Sequence, residues 1–154
     1  MKIDYEYTFG LPIGIVWKMI KDTSILRNSI PGCKSFVENK NGEYLAVIDI
    51  NFGPIKDVFT LEIWRVQEKS PAFYRLHFKG KGNLGEIEGI GDLSFKEVQG
   101  STRLTITADA KVAGALAVTA QKKLDGGSTK GLENFLQKIE REIKRSLYRT
   151  RRGR

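Results

Sequence analysis

Phe78-Lys79-Gly80-Lys81-Gly82-Asn83-Leu84-Gly85-Glu86-Ile87-Glu88-Gly89-Ile90-Gly91 is the stretch that decides the fold. Gly80, Gly82 and Gly85 spell G-x-G-x-x-G, the pattern of a dinucleotide-binding turn. Such a turn holds a pyrophosphate only when a helix opens directly after it, because the helix N-terminus supplies the N–H groups and the positive dipole end. Here Glu86 to Phe95 follow, with apolar residues or glycine at the odd positions and mostly polar residues at the even ones. That is the period of a strand, not of a helix. The stretch therefore reads as a hairpin, with glycines at a tight turn and at points where something packs close to the backbone. No nucleotide is expected there. The chain moves away from α/β enzymes and toward a curved antiparallel sheet.

The flanking sequence agrees. Lys2 to Phe9 alternates, with Ile3, Tyr5, Tyr7 and Phe9 on one face. Pro12 suits a first helical turn, and Ile13, Val16, Trp17 and Ile20 follow at helical spacing. A second short helix is expected near Thr23 to Asn28, before Pro31-Gly32. From Lys34 to Val112 the pattern is nearly all strand, punctuated by Asn41-Gly42, Gly53-Pro54, Ser70-Pro71, Gly80 to Gly85 and Gln99-Gly100-Ser101. Inward residues include Phe59, Leu61 and Ile63, then Tyr74, Leu76 and Phe78, then Leu104, Ile106, Ala108 and Ala110. Past Gly114 the period becomes helical, and Leu132, Phe135, Leu136, Ile139, Ile143 and Leu147 form one apolar stripe. The order is strand, two helices, six strands and a long helix: an α+β chain forming one domain over residues 1–147. Residues 148–154 read as a flexible basic tail.

The 154 residues are enough for one real core. No run approaches the roughly 20 apolar residues of a membrane span, and no signal-peptide pattern precedes the first strand. The lone cysteine, Cys33, excludes an internal disulfide and fits a cytoplasmic protein. The net charge of +8 is uneven: Lys138 to Arg154 carries eight Lys or Arg against two Glu, so the body is nearly neutral. Lys144, Arg145, Arg149, Arg151, Arg152 and Arg154 lie within eleven residues with no acid among them. They read as contacts to an anionic membrane surface, with a solvated, solubilising tail as the plain alternative.

His77, the only histidine, falls on the outward face and reads as a surface residue. One His and one Cys assemble neither a zinc site nor a nucleophilic pair, so no metal, cofactor or catalytic residue is assigned. The outward carboxylates, such as Glu62, Glu88 and Asp92, read as solvated charge. A basic tail with one aromatic, Tyr148, offers no base-stacking platform, so nucleic acid is not an expected partner.

The order and spacing of several small motifs resemble a known family. They are Val16-Trp17, Asp22, Leu26, Ile30-Pro31-Gly32-Cys33, Gly53-Pro54-Ile55, Pro71, Gly80, Gly82, Gly85 and Gly89. Thr102-Arg103-Leu104, Asp109, Gly114, Leu116-Ala117 and Leu124-Asp125-Gly126 continue the series. Over roughly residues 1 to 145 the chain is similar to the CoxG family, the G subunit of carbon monoxide dehydrogenase, within the START-like, or SRPBCC, superfamily. The resemblance implies a helix-grip fold, a curved antiparallel sheet wrapped around a long C-terminal helix. It also implies a cavity for a hydrophobic, lipid- or quinone-like molecule, and no chemistry by the domain itself. The implied partners are the subunits of a membrane-associated, molybdenum-containing dehydrogenase. Many members continue into a longer linker and a membrane-seeking segment, where this chain has basic residues.

The inner aromatics form a core in any globular fold, and the resemblance makes them cavity walls as well. The expected wall comprises Phe52, Phe59, Phe78 and Ile87. Ile106, Leu116, Leu124 and Phe135 complete it. Gly89, Gly91 and Ala108 are expected to leave volume beside them. The alternative function is a small START-like cyclase or hydrolase acting on a hydrophobic substrate. It has only Tyr5, Tyr7 and Tyr74 as inward hydroxyl candidates.

Overall fold

A computed structural model describes residues 1–52, 54–118 and 130–152. Seven strands form one antiparallel sheet in the order β1-β7-β6-β5-β4-β3-β2. β1 is Lys2–Phe9, and two short helices follow, α1 (Ile13–Met19) and α2 (Thr23–Ser29). The sheet then continues as a meander: β2 (Cys33–Glu38), β3 (Glu43–Phe52), β4 (Ile55–Lys69), β5 (Phe73–Gly82), β6 (Gly85–Val98) and β7 (Ser101–Ala113). The first strand pairs with the last, Lys2 opposite Asp109 and Phe9 opposite Thr102. The long helix α3 spans Lys130–Arg152.

The β5–β6 turn is tighter than the run Gly80 to Gly85 suggests. Gly82 pairs directly with Gly85, so only Asn83 and Leu84 form the loop. Gly85 has φ +141, and a Cβ there would lie 2.0 Å from the Ala113 carbonyl oxygen. β6 follows this turn in the position where a nucleotide site needs a helix.

Asp57 holds the turn from β4. Its carboxylate accepts hydrogen bonds from Leu84 N and Val58 N, both at 2.9 Å. The backbone N–H of Leu84, helped by those of Asn83 and Val58, keeps this carboxyl below its usual range. A depressed carboxyl stabilises the fold above its unfolded value of about 4 and loses that contribution as pH falls through the folded value. Asp57→Asn is therefore expected to melt at a lower temperature than wild type at pH 7. The difference should vanish in strong acid, read by circular dichroism across a pH series.

One apolar core joins the sheet to α1, α2 and α3. Phe9, Val16, Leu104 and Ile143 have no exposed surface, and Leu136 and Ile139 almost none. Each such side chain contributes about 1.5–3 kcal/mol by leaving water. The Trp17 ring meets Tyr74 and Phe95 edge-on, both at 5.4 Å, which locks α1 to β5 and β6. Thr102 is fully buried and donates its hydroxyl hydrogen bond to the Leu11 carbonyl at 2.7 Å. Asp22 caps α2 by accepting from Ile25 N.

The tail differs from expectation. α3 does not stop at Leu147 but continues to Arg152. No glycine or proline lies between Leu147 and Gly153, arginine is a good helix former, and cations favour a helix C-terminus. No described helix is long and apolar enough to cross a membrane.

Candidate functional site

Between the inner face of the sheet and the helices lies a cavity of about 300 Å³. Period-2 alternation aims Leu61 and Ile63 of β4, Leu76 of β5, Leu93 of β6 and Ile106 of β7 into it. Leu26 and Ile30 from the α2 segment and Phe135, Leu136 and Ile139 of α3 form the opposite wall. Phe36 and Tyr44 close the side toward β2 and β3. The size is at the lower end for a small-molecule site, and the lining is overwhelmingly apolar.

Beside one corner lies a polar cluster that shows the cavity almost only its apolar atoms. Lys21, Tyr44, Arg65 and Tyr74 reach the wall together. The Tyr44 hydroxyl donates to the Lys21 carbonyl at 2.7 Å and accepts from Arg65 Nη1. Lys21 Nζ lies 2.5 Å from Glu68 Oε1 and 3.5 Å from the centre of the Trp17 ring. Glu68 reaches this corner because β4 carries an extra residue between Val66 and Lys69. Gln67, at φ 52, takes up the bulge, and the following side chain is re-aimed. Burial pushes the Tyr74 and Tyr44 phenols up, so both stay protonated near neutrality and neither serves as a base.

Of the wall residues expected from sequence, the structure brings Ile106 and Phe135 to this cavity. Phe59, Phe78 and Ile87 sit toward the other end of the same inner face. There Phe78 covers Gly89: a Cβ on Gly89 would meet Phe78 Cζ at 2.7 Å. Phe59 covers Gly80 in the same way, at 2.4 Å, with Ile87 beside it at 2.8 Å. Gly89 therefore does not leave open volume, because its cross-strand neighbour folds a ring over it; a Cβ on Gly91 would meet the Ala108 Cβ at 3.5 Å, an ordinary contact. Leu116 is half-buried, and its N–H bonds the Leu84 carbonyl at 2.7 Å. Phe52 ends β3 opposite Ile55, its side chain outside the described set, and Leu124 lies outside the described residues.

Arg65, Lys21 and Tyr44 were not singled out from sequence. The signal was present for Arg65 and Tyr44, because the alternation that turns Leu61 and Ile63 inward continues to Arg65, and Tyr44 pairs with Ile63. Lys21 follows α1, outside any strand period.

The other reactive side chains are engaged structurally. His77 lies on the outer face, stacked on Trp64 with ring centres 5.5 Å apart. Cys33 donates to the Ser35 carbonyl, and burial raises its thiol above the ordinary value. Among the described residues no group of three or more His, Cys, Asp or Glu could hold a metal ion. On α3, Lys144 pairs with Glu140 at 2.9 Å and Arg145 with Glu142 at 3.3 Å, so two of the six clustered cations have acidic partners one turn back. Arg149 is exposed. Arg151 and Arg152 extend the helix, with side chains outside the described set, and Arg154 lies beyond the described residues.

A family model for CoxG, the G subunit of carbon monoxide dehydrogenase, matches residues 10–144. Among solved structures, a conserved protein from Geobacillus kaustophilus is 28% identical, with a TM-score of 0.85 over 95% of this chain and 97% of its own. The Zhui aromatase/cyclase of Streptomyces sp. R1128 is 15% identical, with a TM-score of 0.66 over 96% of this chain and 95% of its own. Protein Ms6760 from Mycobacterium smegmatis is 17% identical, with a TM-score of 0.67 over 94% of this chain and 92% of its own. The latter two likenesses concern the fold alone. No curated protein matches the chain significantly.

Proposed function

The chain belongs to the CoxG family of carbon monoxide dehydrogenase, and from that premise we propose that it is a non-enzymatic carrier. It holds a hydrophobic lipid- or quinone-like molecule between sheet and helices. It serves a membrane-associated molybdenum dehydrogenase of the carbon monoxide dehydrogenase type. The observation that carries this reading is the apolar cavity lined jointly by β4–β7, α2 and α3. Ile106 and Phe135 touch the ligand in this reading, and Phe59, Phe78, Ile87 and Leu116 border its far end. A START-like cyclase or hydrolase is the second reading, favoured by the polar cluster at Lys21, Tyr44, Arg65 and Tyr74. Against it, the two phenols there stay protonated, and the amine and guanidinium already face carboxylates.

α3 carries the carrier to its source. Its last turns project a cationic helix, and near an anionic leaflet each cation contributes about 1 kcal/mol within a Debye length. The test uses vesicles loaded with a long-chain quinone, one set anionic and one neutral. The full chain is expected to sediment with anionic vesicles only, to release with salt, and to leave the pellet carrying quinone. A chain cut after Leu147 is expected to lose sedimentation while still binding quinone added directly. Equal sedimentation of both chains sinks the membrane role; absence of quinone from the protein in either arm sinks the carrier role.

A further inference from the structure

The outer face of the sheet, turned away from α3 and the cavity, carries an ordered pattern of charge. β5 turns Arg75, His77, Lys79 and Lys81 outward, and β6 turns Asp92, Ile90, Glu88 and Glu86 outward opposite them. One strand is thus basic and its neighbour acidic. Arg75 and Asp92 close one end of the pattern with two hydrogen bonds, of 2.7 and 3.1 Å. Lys79, Lys81, Glu86 and Glu88 are exposed and form no ion pair among the described residues, although Lys79 stands opposite Glu88 and Lys81 opposite Glu86. Glu62 of β4 pairs in register with Lys79, and Lys111 of β7 with Glu88, so the signs alternate across four strands.

The neighbouring row is largely apolar. Trp64 and His77 stack with their ring planes 20° apart, and Ile90 beside them is 43% exposed. These three help to line a shallow hollow of about 400 Å³. An exposed aliphatic side chain and a tryptophan inside a charged rim are the composition of a contact surface.

A two-fold axis laid along the strands, between β5 and β6, sets this face on itself. The row Glu62, Lys79, Glu88, Lys111 then reads in reverse on the second copy. Glu62 meets the partner's Lys111, and Lys79 meets the partner's Glu88. Lys81 meets the partner's Glu86. In the apolar row His77 meets the partner's Ile90, and Trp64 meets the partner's Asp109, an acceptor for the indole N–H. An axis along β5 would instead set Lys79 on its own copy and Glu62 on the partner's Glu88, so the charges choose the seam. Sheets packed face to face keep their strands within about 30° of each other, which holds the central rows in register. Strands about 4.8 Å apart and same-face rows about 7 Å apart give β4–β7 a face of roughly 20 by 25 Å, so two copies bury on the order of 1,000 Å², the size of a reversible contact.

We infer that the chain forms a reversible dimer, back to back through the outer face of β4–β7, with β5 of each copy over β6 of the other. The cavity lies on the inner face and stays clear of the contact.

The test is sedimentation velocity of the full chain at low salt over about 5–500 μM, the range in which so small an interface half-assembles. Wild type is expected to rise from the mass of one chain toward that of two. Lys79→Glu/Lys81→Glu and Glu86→Lys/Glu88→Lys each set like charges across the seam, so each alone is expected to stay a single chain. Mixed one to one, the two variants are complementary again and are expected to assemble as wild type does. Such a rescue also shows that both are folded. Ile90→Asp, at the exposed centre, is expected to raise the dissociation constant by more than about tenfold. Wild type alone supplies a second readout: a zero-length carbodiimide should join Glu62 to Lys111. Within one chain three strand spacings, about 14 Å, separate these residues, too far for a direct amide, so that link joins two copies. A single-chain mass at every concentration, a dimer unaffected by charge reversal, folded variants that stay apart when mixed, or a dimer without the Glu62–Lys111 link each overturn the inference.

Discussion

Ile106→Trp is expected to lower the affinity for an apolar probe by more than about tenfold without unfolding the protein. Ile106 lies on the inner face of β7, paired with Tyr5 on one side and Leu93 on the other. It is half-buried and contributes to the cavity wall. An indole at this position grows into empty space, so it displaces a ligand and does not displace a neighbouring side chain. Filling a void commonly stabilises a fold by about 0.5–2 kcal/mol, so the melting temperature should stay the same or rise. Two readings separate the effect from damage: dialysis with 2-methylnaphthalene and a thermal melt of the same preparation. Unchanged probe affinity in a natively folded variant would place the ligand elsewhere.

The second large effect concerns the sheet itself. Gly89→Ala is expected to destabilise the protein by about 3 kcal/mol, the upper end for forced overpacking. A Cβ at this position would lie 2.4 Å from the Asp109 carbonyl oxygen, 2.9 Å from the Ala110 Cα and 2.7 Å from Phe78 Cζ. Two of those atoms are backbone, so β6 and β7 must shift apart and the Phe78 ring must leave its place. In a chain of this length that corresponds to a fall of roughly 6–12 °C in melting temperature. Gly91→Ala is the internal control. Its new methyl would meet only the Ala108 Cβ at 3.5 Å and the Thr107 carbonyl oxygen at 3.9 Å, which are ordinary contacts, so little change is expected. Equal melting of the two variants would show that the close approach at Gly89 carries no weight.

These two glycines also show where sequence reading reaches its limit. The strand period around Gly80 to Gly91 was enough to reject a nucleotide site and to place a hairpin, because alternation is a local property. Which ring covers which glycine is a matter of register: Phe78 stands opposite Gly89, and Phe59 reaches across to Gly80. Period alone puts Phe59, Phe78, Ile106 and Phe135 on one inner surface, but it does not say where along that surface helices α1 and α2 leave a gap. The cavity wall takes in Leu61, Ile63 and Leu76 but not Phe59, the next inward position along β4, nor Phe78, which stands opposite Ile63. The polar cluster was legible only in part. Strict alternation carries inward-facing positions on to Arg65, whereas Glu68 arrives through a one-residue bulge at Gln67. Nothing in the residue types around Gln67 announces that bulge. The end of α3 differs from the end of its apolar stripe for a simpler reason: the stripe ends at Leu147, but helix continues beyond it where the chain holds good helix formers.

The central claim is that the space between sheet and helices belongs to a hydrophobic molecule. Native mass spectrometry of freshly purified full-length protein, sprayed under gentle conditions beside the Ile106→Trp variant, tests it most directly. The account predicts a second population of wild-type protein, heavier by the mass of one small apolar compound and stripped by mild activation, and a variant that carries none. Identical spectra for the two proteins, whether both bare or both bearing the same adduct, would contradict it.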